Sequence, residues 1–307
     1  MNHWISLTLL TLLSITLCIE PEETINELGD FFAYVEQIKI SEEDSIKTIE
    51  SLIQILQRYV FSDILKNPPQ PLENYLNIVY LEDDLKKIDT NERSLYNFYR
   101  DVKKVISACQ DPHLNFKVNT YFGELSLSNS FFISPISLYI DRIDRKVYAK
   151  SSSYENSFDA DIIKIINENV NNPIKTINGL DPLDYILQLN GHFNKYKSPQ
   201  AQFVYNMKQM NGIISILSSP FSYEDLVNIP LEYYNNEIKV EISYKVLTIE
   251  NSQLSYHNLR GYNSFSLPLP NTILLKSSLN QIVDGNWDKV IKNGKNQAFA
   301  CKVYIIL

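Results

Sequence analysis

The feature that most constrains the fold of this chain is a change in the period of its apolar residues at Asp111 and Pro112. An apolar stripe at helical spacing precedes this point, at Leu95, Phe98, Val102, Val105 and Cys109. The spacing predicts a helix over roughly 91–110, which should end before Pro112 because proline disfavours helical geometry in the preceding residue. After the proline the period becomes two, which predicts a strand. One stretch of chain therefore has to build both a helix and a strand.

The predicted strand places a histidine opposite its apolar side. Leu114, Phe116 and Val118 share one side, whereas His113 begins the other, polar side. A histidine that fills a core would share the side of Leu114 and Phe116. The pattern therefore disfavours a core-filling role for His113 and raises two questions: whether this residue is a general base, and where the group that it would activate lies.

The remaining N-terminal segments are mainly helical in pattern. Apolar residues at helical spacing predict helices at 25–35 and 46–60, and the sequence SEED at 41–44 resembles a capping box that opens the second. The prolines within 67–71 should stop that helix. Alternating segments at 131–141 and 146–152 predict strands.

A second unit begins near Ser153. Its pattern predicts two strands in 161–177, a tight turn at Asn178 and Gly179, and a helix opened by Asp181 and Pro182. A helix at 201–210 and a hairpin within 231–246 follow. Strands around two helices predict a small, partly open β-sandwich or barrel, so the fold class of the whole chain is expected to be α+β.

Composition and charge exclude several classes of function. The 307 residues carry a net charge of -8 and only 8 glycines. A negative chain without a basic stripe is not expected to bind nucleic acid. No glycine-rich phosphate loop and no metal-binding motif occurs in the sequence, so neither a cofactor nor a metal is expected.

The N-terminus predicts secretion. Residues 5–18 form an apolar run of signal-peptide length that ends at Cys18 and precedes the acidic sequence EPEE. A membrane anchor and a buried helix are the alternatives for this run. No later segment is long and apolar enough to span a membrane, so no span is expected after signal removal. Cys109 and Cys301 look like small buried apolar residues, although secretion would permit a disulfide between them.

Four stretches carry a resemblance to a known family: RYVFSDILKNPPQP, SLYNFYRDVKKVISACQDPHLNF, IKTINGLDPLDYI and AFACKV. With these, the chain resembles the tail-specific (C-terminal-processing) serine peptidases, particularly the secreted branch related to protease-like activity factor. The resemblance covers most of the mature chain. It implies that Asp111 and His113 form an Asp-x-His segment with His113 as the catalytic base, and that 161–246 is similar to a PDZ domain.

The resemblance also implies a division of the chain. A signal peptide covers 1–18, a helical region with the Asp-x-His strand unit covers 19–153, and a PDZ-like domain covers 154–275. Residues 276–307 would begin the catalytic domain, which in the family supplies the nucleophilic serine and an acidic partner. The sequence contains neither a Gly-x-Ser-x-Gly elbow nor a Ser-x-x-Lys pair. Ser107 precedes His113 but has a helical setting without an oxyanion hole.

Three functions remain open at this point. The chain is expected to be a secreted, serine-peptidase-like protein that is inactive without a nucleophile domain. Alternatively, it is the N-terminal part of an active tail-specific peptidase, or a module that binds peptides without catalysis. In each case the expected partner is a peptide or a protein.

Overall fold

The computed structural model describes residues 23–59, 61–70, 78–111, 114–118, 121–122, 125–189, 193, 196–210, 213–235, 238–249 and 301–305. Across these ranges the chain has a mixed α/β architecture, in which eight helices pack among several small antiparallel sheets. The α+β fold class is confirmed at this level. Within the same ranges, no helix has the length and apolar character needed to cross a membrane.

The helices are short, and most lie in the N-terminal half of the chain. They are α1 (Leu28–Gln37), α2 (Glu42–Leu56), α3 (Ser62–Lys66), α4 (Leu81–Lys86), α5 (Leu95–Ser107), α6 (Ala160–Glu168), α7 (Pro182–Gln188) and α8 (Pro199–Met210).

The strands of the first half are β1 (Glu23–Glu27), β2 (Lys39–Ile40), β3 (Arg93–Ser94), β4 (Leu114–Val118), β5 (Tyr121–Phe122), β6 (Leu125–Ser126) and β7 (Ser130–Ile133). Strands β8 (Ile136–Ile140) and β9 (Val147–Ser151) complete the first half, and those of the second half are β10 (Ile174–Ile177), β11 (Ile214–Ser215), β12 (Ile229–Tyr233), β13 (Lys239–Ile242), β14 (Lys245–Ile249) and β15 (Cys301–Ile305).

A four-stranded sheet joins distant parts of the chain in the order β1-β14-β7-β11. Each pair in it is antiparallel, with Ile25 opposite Leu247 and Val246 opposite Phe132. Its strands come from both sides of Ser153, the point at which the sequence pattern divides the chain. The division into 19–153 and 154–275 stays a prediction.

Three smaller antiparallel arrangements complete the part that bears on function. Strands β10, β12 and β13 form a three-stranded sheet, and β8 pairs with β9. Strand β4 pairs with β15, so the last described segment returns to the strand that follows Pro112. The hairpin predicted within 231–246 is confirmed by the β12–β13 pair, whereas Asn236 at its turn lies outside the described residues.

The core is continuous across these elements. A buried apolar cluster extends from α1 and α2 through α5 to the strands of the second half. Phe31 of α1 makes edge-to-face ring contacts with Tyr96 of α5 and Phe132 of β7, at centroid distances of 5.8 and 6.0 Å. Such pairs stabilise a core beyond the apolar area that they bury. Helix α5 therefore packs against both helical and strand neighbours.

Two predicted elements were wrong. The segment 161–168, predicted as a strand, lies in helix α6. The N-cap of this helix is Asp159, and its side chain accepts from the main-chain N–H groups of Asp161 and Ile162. Its run of isoleucines favours a strand by propensity, but the cap and the burial of Ile166 stabilise a helix. Residues 23–27, placed in or beside a predicted helix, form β1 because they pair along β14.

The turn chemistry was predicted correctly. Asn178 and Gly179 have φ values of +51° and +75°, the left-handed region that asparagine and glycine tolerate best. Ile177 and Leu180 exchange main-chain hydrogen bonds of 3.0 Å across this turn. The side chain of Asp181 then accepts from the N–H of Leu183 and caps α7. The N-cap of α2 is also present, since Ser41 Oγ accepts from the N–H of Asp44, whereas the Asp44 side chain accepts from the Ser41 hydroxyl.

Candidate functional site

Helix α5 leads to the candidate site and is buried on more than one side. The apolar stripe read from the sequence is buried at Leu95, Phe98, Val102 and Cys109, whereas Val105 is only partly buried. A second set, Tyr96, Tyr99 and Lys103, is also buried, although each of these side chains ends in a polar group. The helix therefore lies inside the core, and its polar atoms require partners there.

The two tyrosines reach main-chain carbonyl groups in the segment that follows β11. Tyr96 Oη donates to the carbonyl oxygen of Phe221 at 2.8 Å, and Tyr99 Oη donates to that of Leu217 at 2.7 Å. Burial raises the pKa of Tyr96 well above the ordinary tyrosine value. Both hydroxyls therefore connect α5 to a segment more than one hundred residues further along the chain.

Lys103 contacts strand β4, the strand that follows the Asp-x-His segment. Its Nζ lies 3.3 Å from the carbonyl oxygen of Phe116, and Tyr99 Oη lies 3.4 Å from the same oxygen. Lys103 is only 3% exposed. A buried ammonium group is costly unless it is hydrogen-bonded, so this contact ties α5 to the middle of β4.

The end of α5 directs the chain toward Asp111. Gln110 has a φ of +49°, the left-handed conformation that commonly ends helices, and its N–H donates to the carbonyl of Ser107. The residue is not glycine, so this conformation costs about 1 kcal/mol and must be stabilised by its surroundings. The chain turns sharply at this point.

Asp111 is held from two directions. Tyr59, which follows α2, donates its hydroxyl to Asp111 Oδ2 at 2.5 Å. The main-chain carbonyl of Asp111 accepts from the N–H of Leu114 at 3.1 Å. Burial, followed by the hydrogen bond to Asp111, raises the pKa of Tyr59 well above its usual value. Tyr59 therefore stays a hydroxyl donor at neutral pH.

His113 itself, with Pro112, lies outside the described residues, so its predicted role stays a prediction. The two residues that begin the apolar side of β4 are described: Leu114 is 6% exposed and Phe116 is 1% exposed. The apolar side of the strand is confirmed at these positions. The side chain of Val118 also lies outside what the structure describes.

Neither nearby nucleophilic side chain is suited to attack a carbonyl group. Burial, together with the nearby Asp111 carboxylate, raises the pKa of the Cys109 thiol to about 12, so this free thiol is protonated at neutral pH. Ser107 is the last residue of α5. A serine at that point has no strained elbow to present its hydroxyl, as expected from the sequence. The side chain of Cys301 lies outside the described residues.

Sequence reasoning missed Tyr59, Tyr99 and Lys103 as parts of this region. Tyr99 and Lys103 lie four residues apart on α5, so their side chains share one face of the helix and both end in a polar group. This spacing can be detected in the sequence. Tyr59 has no such signal, because its partner Asp111 is 52 positions away. In the described ranges, no group of three or more histidine, cysteine or acidic residues is arranged to hold a metal ion.

Comparison of the chain with models of protein families, with curated proteins and with solved structures found no match.

Proposed function

We propose that this chain is a secreted, serine-peptidase-like protein of the tail-specific type that does not cleave peptides by itself. In this proposal His113 occupies the position of the catalytic base, and the unit after Ser153 is PDZ-like. The proposal extends the sequence resemblance described above.

The observation that carries the proposal is the anchoring of Asp111. The Tyr59 hydroxyl and the Leu114 N–H hold the residue that precedes Pro112 and His113, directly after a buried helix. A general base works only when it is held within reach of its substrate proton, so a catalytic histidine needs a rigid support of this kind. A histidine on an ordinary surface loop does not.

The second unit is compatible with a PDZ-like arrangement. Its strands β10, β12 and β13 form an antiparallel sheet, and a tight turn at Asn178 and Gly179 separates β10 from α7. PDZ domains bind peptides as an added strand on an exposed sheet edge. We therefore expect the partner to be a peptide or an unfolded protein segment.

A nucleophile is the missing part of the proposed chemistry. A serine hydroxyl becomes reactive only when a base lies within hydrogen-bond distance and donors are aimed at the developing oxyanion. The sequence carries no elbow motif, and the buried thiol of Cys109 is protonated at neutral pH. The proposal therefore expects no acyl-enzyme.

Labelling with a fluorophosphonate probe tests the inactivity of the chain. The purified protein and its His113→Ala variant should both remain unlabelled, and neither should cleave unfolded casein. Labelling of the wild type that is lost in His113→Ala would show that a nucleophile exists, and the active-peptidase alternative would replace this proposal.

Histidine modification tests the base position separately. Diethyl pyrocarbonate should modify His113 at a different rate in Tyr59→Phe than in the wild type, because the anchor of Asp111 is removed. His192 and His257 serve as internal controls, and their rates should not change. Equal rates at His113 in both proteins would contradict the proposed support of this residue by Tyr59.

N-terminal sequencing of released protein tests the proposed secretion. Expression of the full chain in a secretory host should release protein whose N-terminus begins close to Ile19. Recovery of the intact Met1 terminus from the cytosol would reject the proposed localisation.

A further inference from the structure

A cleft of about 500 Å³ lies between α5 and the second half of the chain. Helix α5 contributes Arg100 and Lys104 to its wall, the turn after β10 contributes Leu180, and α7 contributes Tyr185 and Leu189. The volume falls in the range of small-molecule sites, which is roughly 300–1,000 Å³. The cleft is thus large enough for a small ligand or the end of a peptide.

Two cations on adjacent turns of α5 line this cleft. Among the described residues, Lys104 forms no ion pair, and the nearest acid to Arg100 is Asp101, at 4.0 Å from Nε. Asp101 is already bound by Arg93 at 2.6 Å. The Nε of Arg100 is buried and makes no hydrogen bond within the described part of the chain. Both cations are therefore available to an anion.

Among the described residues, the two acids that line the cleft, Glu224 and Asp225, form no ion pair with these cations. Asp225 Oδ2 accepts from both the N–H and the hydroxyl of Ser222 at 2.8 Å, so this carboxylate closes a local turn. Glu224 is an exposed residue, and within the described ranges it forms no ion pair. The positive charge of the lining therefore lies on the α5 side of the cleft, and its negative charge lies at 224–225.

The rest of the wall is aromatic and aliphatic. Tyr185, Phe221, Leu226 and Tyr244 are each less than 10% exposed and line the cleft beside Phe193. An apolar chain or ring placed there would lose contact with water, which favours binding. The chemistry of the cleft thus combines an apolar surface with two adjacent cations.

We propose that this cleft binds a carboxylate that carries an apolar chain or ring. The carboxylate lies at Arg100 and Lys104, where the guanidinium group can donate two parallel hydrogen bonds. The apolar body packs against Tyr185, Phe221 and Leu226. Strands β8 and β9 do not line the cleft, so the proposed site is distinct from the edges of the β8–β9 hairpin. The inference does not depend on the proposed peptidase-like function.

Two natural sources share this chemistry: a free fatty acid, and the carboxy terminus of a peptide that ends in an apolar residue. Isothermal titration with decanoate and with a hexapeptide ending in free leucine distinguishes them. Decanol and the amidated hexapeptide are the neutral controls. At least one carboxylate should bind, and its neutral counterpart should bind at least about tenfold more weakly.

The double variant Arg100→Gln with Lys104→Gln tests the position of the anion. It should weaken binding of the carboxylate by about tenfold to a hundredfold, the usual range for losing charged hydrogen bonds. Lys47→Gln is the matched control, because Lys47 is exposed and its partner is Glu43 on the same helix. This control should bind as the wild type does.

Photocrosslinking of the wild-type protein tests the same site without a substitution, so it remains informative if the double variant does not fold. A diazirine analogue of decanoate, or of the peptide, should crosslink to segments 178–189 or 221–226. Crosslinking only elsewhere would overturn the proposal. So would equal binding by the double variant, equal binding of the neutral compounds, or no binding of either carboxylate.

Discussion

Removal of the Tyr59 hydroxyl should destabilise the protein and release the segment that contains Asp111. Tyr59 is 7% exposed, and its ring lies 5.8 Å from the ring of Phe61. Phenylalanine keeps this ring packing and deletes only the oxygen that donates to Asp111 Oδ2 at 2.5 Å. A hydrogen bond to a charged group contributes about 1.5–3 kcal/mol to stability, so Tyr59→Phe should lower the free energy of unfolding by that amount.

Urea unfolding, followed by circular dichroism, measures this loss. Tyr80→Phe is the matched control, because Tyr80 is 48% exposed and its hydroxyl has no partner among the described residues. The control should change the free energy of unfolding by less than about 0.5 kcal/mol. The difference between the two variants isolates the hydroxyl that contacts Asp111.

A double-mutant cycle with Asp111→Ala separates the pair from its surroundings. The coupling free energy should be about 1.5–3 kcal/mol, because each single change removes the same hydrogen bond. Additive costs, or a loss below about 0.5 kcal/mol in Tyr59→Phe, would refute the argument that this bond holds the start of the Asp-x-His segment.

Three further predictions concern buried groups. Asn206→Ala should cost about 2–4 kcal/mol in urea unfolding, because Nδ2 of this buried residue donates to the carbonyl of Ile186 at 2.7 Å. Stability should fall between about pH 10 and 12, because burial raises the pKa values of Tyr233 and Tyr244 to about 12 while unfolded tyrosines ionise near 10. Ellman's reagent at pH 8 should leave Cys109 unmodified in the folded protein, because the pKa of its buried thiol is raised to about 12.

Each of these has a control. Gln200→Ala changes an exposed residue of the same helix as Asn206 and should be nearly neutral. The pKa values of these tyrosines are higher in the folded protein than in the unfolded protein, so their contribution to the free energy of unfolding is fully present below about pH 10 and is lost as the pH rises toward 12. Absorbance at 295 nm measures the tyrosinate that forms. Peptide mapping identifies Cys109, which should react after unfolding in urea. A flat stability profile to pH 12, or rapid native labelling, would contradict the burial of these groups.

Local patterns in the sequence predicted elements whose causes are local. The left-handed turn at Asn178 and Gly179 and the caps at Asp181 and Ser41 depend on residues within three positions of the main chain that they contact. The change from helix to strand near Pro112 was predicted for the same reason. Proline and alternating apolar residues act on their immediate neighbours.

The hydrogen bonds that hold Asp111 and α5 join residues far apart in the sequence, so no local pattern predicts them. Tyr59 is 52 positions from Asp111, and Tyr96 is 125 positions from the carbonyl that it contacts. The assignment of 161–168 as a strand failed because propensity favoured a strand while the Asp159 cap and burial favoured a helix. A local cap and the burial of Ile166 in the core therefore decided the outcome together.

The α+β fold class, the turn at Asn178 and Gly179, the end of the helix before Pro112 and the apolar side of β4 could all be predicted from the amino-acid sequence. The contact between Tyr59 and Asp111, and the cleft lined by Arg100 and Lys104, exist only because distant parts of the chain pack together. Periodicity in the sequence indicates which side of an element is buried, whereas the packing of distant elements determines the partner of each buried polar group.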